Sequence, residues 1–284
     1  MSDPTSFLEK YSSLVPAIML VGLLIWETAG PCFRFFVKRP GIRLRHGVIN
    51  IGIGIVNALV VGLIFVSLWE MTSQGALKAG FGLFNWLELS PWIEGSIAVL
   101  CFDLFTYWWH RFNHKIPFLW RFHRVHHSDS EMDVTTANRF HFGEIAISSV
   151  LRIPLIFLLG ADLWMLALYE LLMFPIVQFH HANIRLPDAV ERGFRAVFAS
   201  PVMHKIHHSD LVEETNSNYT SLFSFWDRIF GSYRMRDDYE LIQLGLKEFC
   251  DPDDRKLSGI LKMPIRNFRD ASVGGDHTEK EKWQ

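Results

Sequence analysis

Residues 103–128 read DLFTYWWHRFNHKIPFLWRFHRVHHS, and residues 200–209 read SPVMHKIHHS. Together they hold eight of the thirteen histidines: His110 and His114; His123, His126 and His127; His204, His207 and His208. On an α-helix, residues three and four apart share a face, so HxxxH and HxxHH each aim two or three imidazoles at one point. A lone HxxxH is common on solvated helix faces. Two copies of HxxHH, each followed by Ser-Asp, are not. One zinc ion takes about four ligands, so eight imidazoles imply two ions sharing one basket. The stretch therefore predicts helices carrying a dinuclear metal site. His46 and His277 lack partners at this spacing and stay outside it.

The sequence around these motifs is that of a membrane protein. Its 284 residues are 49% hydrophobic with a mean hydropathy of +0.14, more apolar than an ordinary soluble domain. Residues 48–69 are 22 positions without a charge. At about 1.5 Å per residue they cross a hydrocarbon core of about 30 Å. Residues 11–33 form a second apolar run interrupted only by Glu27. It lacks the basic start and small-residue cleavage site of a secretory signal, so it reads as a retained anchor. Residues 92–109 form a third run, with Asp103 in its second half. Residues 145–179 read as an antiparallel hairpin turned by Gly160-Ala161-Asp162, either spanning or re-entrant. Arg152 and Glu170 each lie nine residues from Ala161, at the same depth. They are expected to pair, because a lone charge at mid-membrane costs about 2.5–3.5 kcal/mol on translocon scales.

Basic residues set the orientation. The first loop holds Arg34, Lys38, Arg39, Arg43 and Arg45 without an acid, whereas the loop expected over 70–90 holds Lys78 against Glu70 and Glu88. Positive-inside logic makes the first loop cytoplasmic. Counting spans then puts 111–144 and everything after 179 on the same side, where the three histidine groups can meet. The expected architecture is all-α, an integral membrane helical bundle of about four to five segments with a cytoplasmic helical cap holding the dinuclear site. Residues 1–90 would be an N-terminal transmembrane anchor region, 91–264 the catalytic domain and 265–284 a polar tail. The net charge of −2, with basic residues scattered or at membrane edges, argues against a nucleic-acid partner. Cys32, Cys101 and Cys250 form no CxxC pair, so neither a disulfide framework nor an iron–sulfur site is suggested.

The run YWWHRFNHKIPFLWRFHRVHHSDSEMDVTTANRFHFGE, residues 107–144, resembles the histidine core of the fatty acid hydroxylase superfamily, in its sterol desaturase branch. HHANIRLP, SPVMHKIHHS, NYTSLFSFWDRIFGSY and LSGILKMP resemble that family's later blocks, so the resemblance covers about 103–264. It implies a membrane-embedded bundle with two iron ions, for which zinc could substitute, used with O2 and electrons on an aliphatic substrate. By motif match, His110, His114, His123, His126, His127, His204, His207 and His208 would be the ligands. His181 in the HHAN block matches a histidine common to the family. His180 is the alternative, since neighbours on a helix point about 100° apart and one should face the metals. His141 matches a histidine found in part of the branch. Thr220 departs from the pattern, which often has glycine after Asn-Tyr.

An unactivated C–H bond is beyond acid–base chemistry, so the oxidising power has to come from a cofactor. Neutral imidazoles leave the charge of two metals uncompensated, and carboxylates bonded to the ligand rings would answer it. Asp103, Tyr107, His110 and His114 advance by four, three and four residues along one helical stripe, which makes Asp103 a candidate orienting acid. Glu144 is a second candidate; Asp129, Asp133, Asp210 and Asp227 are weaker ones. No Gly-rich nucleotide fingerprint follows a strand, and no haem or ferredoxin domain fits the length, so electrons require a separate reductase. Phe105, Trp108, Trp109, Phe118, Trp120 and Phe122 would form the substrate's mouth or belt the membrane interface. The expected function is hydroxylation of an acyl, alkyl, ether-lipid or sterol-like chain, with desaturation of the same chains as the nearest rival. A metal-binding membrane protein without oxygen chemistry is the distant one. Transport would want ionisable residues along several spans, and 48–69 has none.

Overall fold

The structure, a computed structural model, describes Leu8 and residues 11–266 apart from 88 and 250. Cys250, His277 and most of the expected tail lie outside the described residues. Among the described residues the fold is helical, and strand pairing is limited to two isolated bridges, Phe198 with Phe223 and Ser209 with Leu244.

Helix α1 (Leu14–Ala29) is followed by α2 (Pro40–Val60), a π-helical turn (Val61–Phe65) and α3 (Val66–Ala79), which run on as one rod. At about 1.5 Å per residue the rod is roughly 60 Å long. Residues 70–79, expected as part of a loop, are therefore helical. Their sequence EMTSQGALKA contains good helix formers, and the rod stops only where Gly80 adopts the left-handed conformation (φ 57°). Helix α4 (Pro91–Lys115) and α5 (Pro117–His127) meet at Ile116, whose extended backbone (φ −101°, ψ 114°) is what a following proline requires. Pro117 thus ends one helix, opens the next and folds HxxHH back over HxxxH. Helix α6 (Phe142–Leu159) ends at left-handed Gly160, and α7 (Leu163–His181) returns from the expected turn.

Among the described residues, three helical segments are long and apolar enough to cross a membrane: the rod within Pro40–Trp86, α6 and α7. The chain is built as an integral membrane protein, with three such spans where about four to five were expected. Helix α1 is apolar but has 16 residues, about 24 Å of helix. Helix α4 runs through the middle, burying Ala98, Val99, Phe102, Asp103 and Tyr107. The central cluster joins Phe65 and Trp69 to Phe102, Ile156, Met165 and Tyr169. In lipid such contacts act through packing and hydrogen bonds rather than through water exclusion. At the far end of the bundle the two turns touch so closely that a Cβ on Gly82 (φ 109°) would lie 2.4 Å from the Gly160 nitrogen.

Arg152 and Glu170 pair at 2.7 Å, as their spacing predicts. Helix α6 leans on α3 while α7 leans on α4 and α1, so the ion pair ties together two arms that find their main packing elsewhere. Glu27, the one charge in the first apolar run, is buried. Its carboxylate accepts from Val134 N (3.1 Å) and Asn183 N (2.9 Å) and pairs with Arg43 (2.7 Å). This hooks α1 to the loops beside the histidine helices.

Candidate metal centre

Four helix ends deliver the histidines. Helix α4 carries His110 and His114, α5 carries His123, His126 and His127, and α7 ends in His180 and His181. Helix α8 (Pro201–His207) carries His204 and His207, with His208 at its cap. Ser200 accepts the Met203 N–H and Pro201 takes the first helical position, two start signals in consecutive residues. Nine of these rings sort into two buried groups whose ligand atoms lie within 4.8 Å of one another: His110, His114, His123, His127 and His207; and His126, His181, His204 and His208. His127 and His208 stack at 4.4 Å, which joins the groups.

The hydrogen-bond chemistry tests whether cations belong here. His110 Nδ1 lies 2.6 Å from the Tyr219 carbonyl and His207 Nδ1 lies 2.7 Å from the Ser217 carbonyl. A carbonyl only accepts, so each Nδ1 carries the proton and each neutral ring presents a bare lone pair at Nε2. Those two Nε2 atoms are 3.0 Å apart. Two lone pairs facing each other in a dry site repel unless a cation lies between them. An ion bound at about 2.0–2.1 Å places neighbouring donors about 3.0–3.4 Å apart. In the second group His181 Nε2 lies 3.1 Å from His126 Nε2 and 3.0 Å from His204 Nε2, and His204 Nε2 lies 3.1 Å from His208 Nε2. One proton per ring cannot satisfy that chain of contacts. The buried Nε2 atoms of His114, His123 and His127 have no hydrogen-bond partner among the described residues. Burial and neighbouring imidazoles hold His126, His127, His204, His207 and His208 well below the usual histidine value. They are neutral at pH 7 and ready to coordinate. The donor set fits two metal ions.

Glu144 stands where an orienting acid is needed. Its Oε1 accepts from His123 Nδ1 (2.9 Å) and from Asn113 Nδ2 (3.0 Å). Two other expected residues lie away from the grouped rings. Asp103 takes no histidine ring: Tyr169 donates to one oxygen (3.3 Å), and Phe223 N (3.1 Å) and Trp226 Nε1 (2.9 Å) donate to the other. The helical stripe was right, but Asp103 lies two turns from His110 and meets the 222–226 loop instead. His141 lies outside both groups. It caps α6, with Nδ1 accepting from Gly143 N (3.0 Å) and Nε2 3.3 Å from the Leu261 carbonyl. Of the adjacent pair, His181 joins a group, while His180 stacks on His204 at 3.9 Å.

The weaker acids act one layer out. Asp227 accepts from Tyr219 N and Thr220 N (2.8 and 3.1 Å), fixing the loop whose carbonyl holds His110. Asp129 lies 2.8 Å from His46 and accepts from Thr136. Burial pushes its carboxyl up, but His46 and Arg139 outweigh this and hold it well below the usual range. Asp133 caps the 134–138 turn, and Asp210 pairs with Lys247. The left-handed residue of the Asn218-Tyr219-Thr220 turn is Asn218 (φ 52°), so Thr220 needs no glycine freedom. Of the expected mouth residues, Trp120 packs on His114 (5.0 Å) and His127 (5.4 Å). Phe118 is exposed, and Phe105, Trp108, Trp109 and Phe122 are half-buried. The carbonyls of Tyr219 and Ser217 and the Phe140 ring, stacked on His126 at 4.2 Å, were invisible to motif reading. Backbone acceptors carry no residue-type signal.

Comparison with known proteins fits this geometry. The fatty acid hydroxylase family model matches residues 95–232, from near the start of α4 past α8 and beyond the loop that orders His110. That segment, just under half of the chain, is similar to the fatty acid hydroxylase family. Human alkylglycerol monooxygenase is 26% identical over 239 residues, 84% of this chain and 50% of the relative. The ornithine lipid hydroxylase of Rhizobium tropici is 27% identical over 216 residues, 74% of this chain and 63% of the relative. Human cholesterol 25-hydroxylase is 26% identical over 142 residues, 48% of this chain and 50% of the relative. The chain thus spans about half to under two thirds of the length of these relatives. No solved structure matches at a significant level.

Proposed function

We propose that this protein is a membrane-bound, O2-dependent oxidoreductase, a monooxygenase that hydroxylates an aliphatic carbon of a fatty acyl, ether-lipid or sterol-like substrate. The observation that carries the reading is the pair of unprotonated Nε2 atoms of His110 and His207, 3.0 Å apart among seven further ligand histidines. The names of the relatives support the substrate class, since alkylglycerols, ornithine lipids and cholesterol all present hydrocarbon in a membrane.

In this reading His110, His114, His123, His127 and His207 hold one ion, and His126, His181, His204 and His208 hold the other. Imidazole suits several metals; the family match favours iron, with zinc as a substitute. With O2 and electrons, iron supplies the oxidant that an unactivated C–H bond requires. The chain's own contribution is positional and electrostatic. Carbonyls of Tyr219 and Ser217 and the Glu144 carboxylate keep the ring protons on Nδ1 and leave Nε2 free. Trp120 and Phe140 cover the rings and exclude water. Basic residues of the first loop favour a cytoplasmic site, where a separate reductase would deliver electrons.

The test is incubation of the reduced, iron-loaded protein with candidate lipids under 18O2, followed by mass spectrometry. Hydroxylation leaves label in the lipid. An unlabelled, dehydrogenated product would replace the hydroxylase with a desaturase. Metal-dependent transport without O2 consumption would remove the oxygenase altogether.

A further inference from the structure

The two groups are held in different ways. In the five-histidine group three outward-facing ring nitrogens are tied down: His123 by Glu144, His110 by the Tyr219 carbonyl and His207 by the Ser217 carbonyl. In the four-histidine group His181 bonds to Val177 of its own helix. The Nδ1 atoms of His126, His204 and His208 are buried with no hydrogen-bond partner among the described residues. Rings without such ties must be placed by the backbones that carry them. For His181, His204 and His208 those backbones are the end of α7 and α8.

Lys205 joins these two elements. Its side chain is 1% exposed, and its ammonium donates to the carbonyls of Ala182 (2.9 Å) and Ile184 (3.4 Å), just past α7, and reaches that of Pro201 (3.5 Å) on α8. No carboxylate pairs with it at salt-bridge distance among the described residues. A cation at the last carbonyls of α7 is favoured by the helix dipole. Its charge also opposes any cation bound nearby, so an ammonium kept at this place must serve the site through geometry.

We propose that Lys205 is a positioning residue of the four-histidine metal site: its ammonium clamps the end of α7 onto α8 and thereby sets the spacing between His181 and the pair His204 and His208. The inference rests on the metal-binding reading of the two groups and is independent of the reaction catalysed.

The test uses the full chain in detergent, loaded with Co2+ and then with Fe2+ without oxygen. Metal content, chelator competition and the Co2+ ligand-field spectrum are compared for wild type, Lys205→Met and Lys205→Arg. The methionine variant should hold one of its two ions about 10–100-fold more weakly, with the other unchanged. Arginine, which keeps the cation and its donors, should restore most of the loss. A merely structural lysine would lower the melting temperature without singling out one ion. Wild-type or tighter affinity at both sites in the methionine variant overturns the proposal while leaving the metal centre intact; a wild type that binds no metal overturns both readings. If the methionine variant fails to accumulate, Lys205→Gln carries the same comparison, and equal affinities at both sites again overturn the proposal.

Discussion

Glu144→Gln keeps the shape of a buried side chain and removes its charge. In the wild type one carboxylate oxygen accepts from both His123 Nδ1 and Asn113 Nδ2, at 2.9 and 3.0 Å. A hydrogen bond to a charged partner contributes about 1.5–3 kcal/mol, against about 0.5–1.5 for a neutral pair. The amide therefore forfeits roughly 1–2 kcal/mol of support for the protonated Nδ1 that leaves His123 Nε2 as a ligand. At about 1.4 kcal/mol per tenfold, the five-histidine site should weaken about 5–30-fold. Chelator competition followed by mass spectrometry reads this directly, with the four-histidine site as an internal control. Glu144→Ala should lose more, because it leaves the His123 Nδ1 proton buried without an acceptor. Unchanged affinity, or equal weakening at both sites, would refute the assignment of Glu144 to His123.

Other consequences can be checked with the same preparations. His126→Ala should lose metal and activity, whereas His46→Ala should keep both ions; full activity in the first would break the ligand set. His141→Ala should retain both ions and lose about 1 kcal/mol of stability, the usual effect of removing a helix cap; metal loss would return His141 to the site. Arg152→Leu should lower the melting temperature more than its combination with Glu170→Leu, because the single change strands a charge, and additive losses would show that the pair contributes nothing. The metal-free protein should lose stability as the pH falls below about 6.5. Burial and neighbouring imidazoles hold His126, His127, His204, His207 and His208 below their unfolded values, so the unfolded state binds more protons there and stability rises with pH. A flat melting temperature between pH 7.5 and 5.5 would contradict the neutral imidazoles.

The clustering of the histidines was legible because coordination demands a fixed spacing on a helix, and HxxxH with two HxxHH motifs leaves few other ways to use eight rings. The turn at Gly160 and the pairing of Arg152 with Glu170 were legible for similar reasons: a left-handed cap favours glycine, and two opposite charges at one depth seek each other. Asp103 misled because periodicity gives a face and not a height along the helix. His141 misled because a histidine beside a helix start can cap it as well as bind metal. The ring-orienting carbonyls of Tyr219 and Ser217, and the Lys205 contacts with Ala182 and Ile184, depend on where distant loops come to rest, which no local pattern encodes.

Glu27 has a practical consequence for anyone seeking a minimal enzyme. The family match begins at residue 95, and a fragment starting near there would keep all nine histidines of the two groups. It would also leave two amide hydrogens without their acceptor, at Val134, seven residues beyond His127, and at Asn183, two beyond His181. Each such loss in a buried place costs about 1–3 kcal/mol; one falls beyond His127 of the five-histidine group and the other beyond His181 of the four-histidine group. A truncated preparation should therefore bind metal more weakly than the full chain, and Glu27→Gln in the full chain should reproduce part of that loss through a carboxylate that touches none of the grouped histidines.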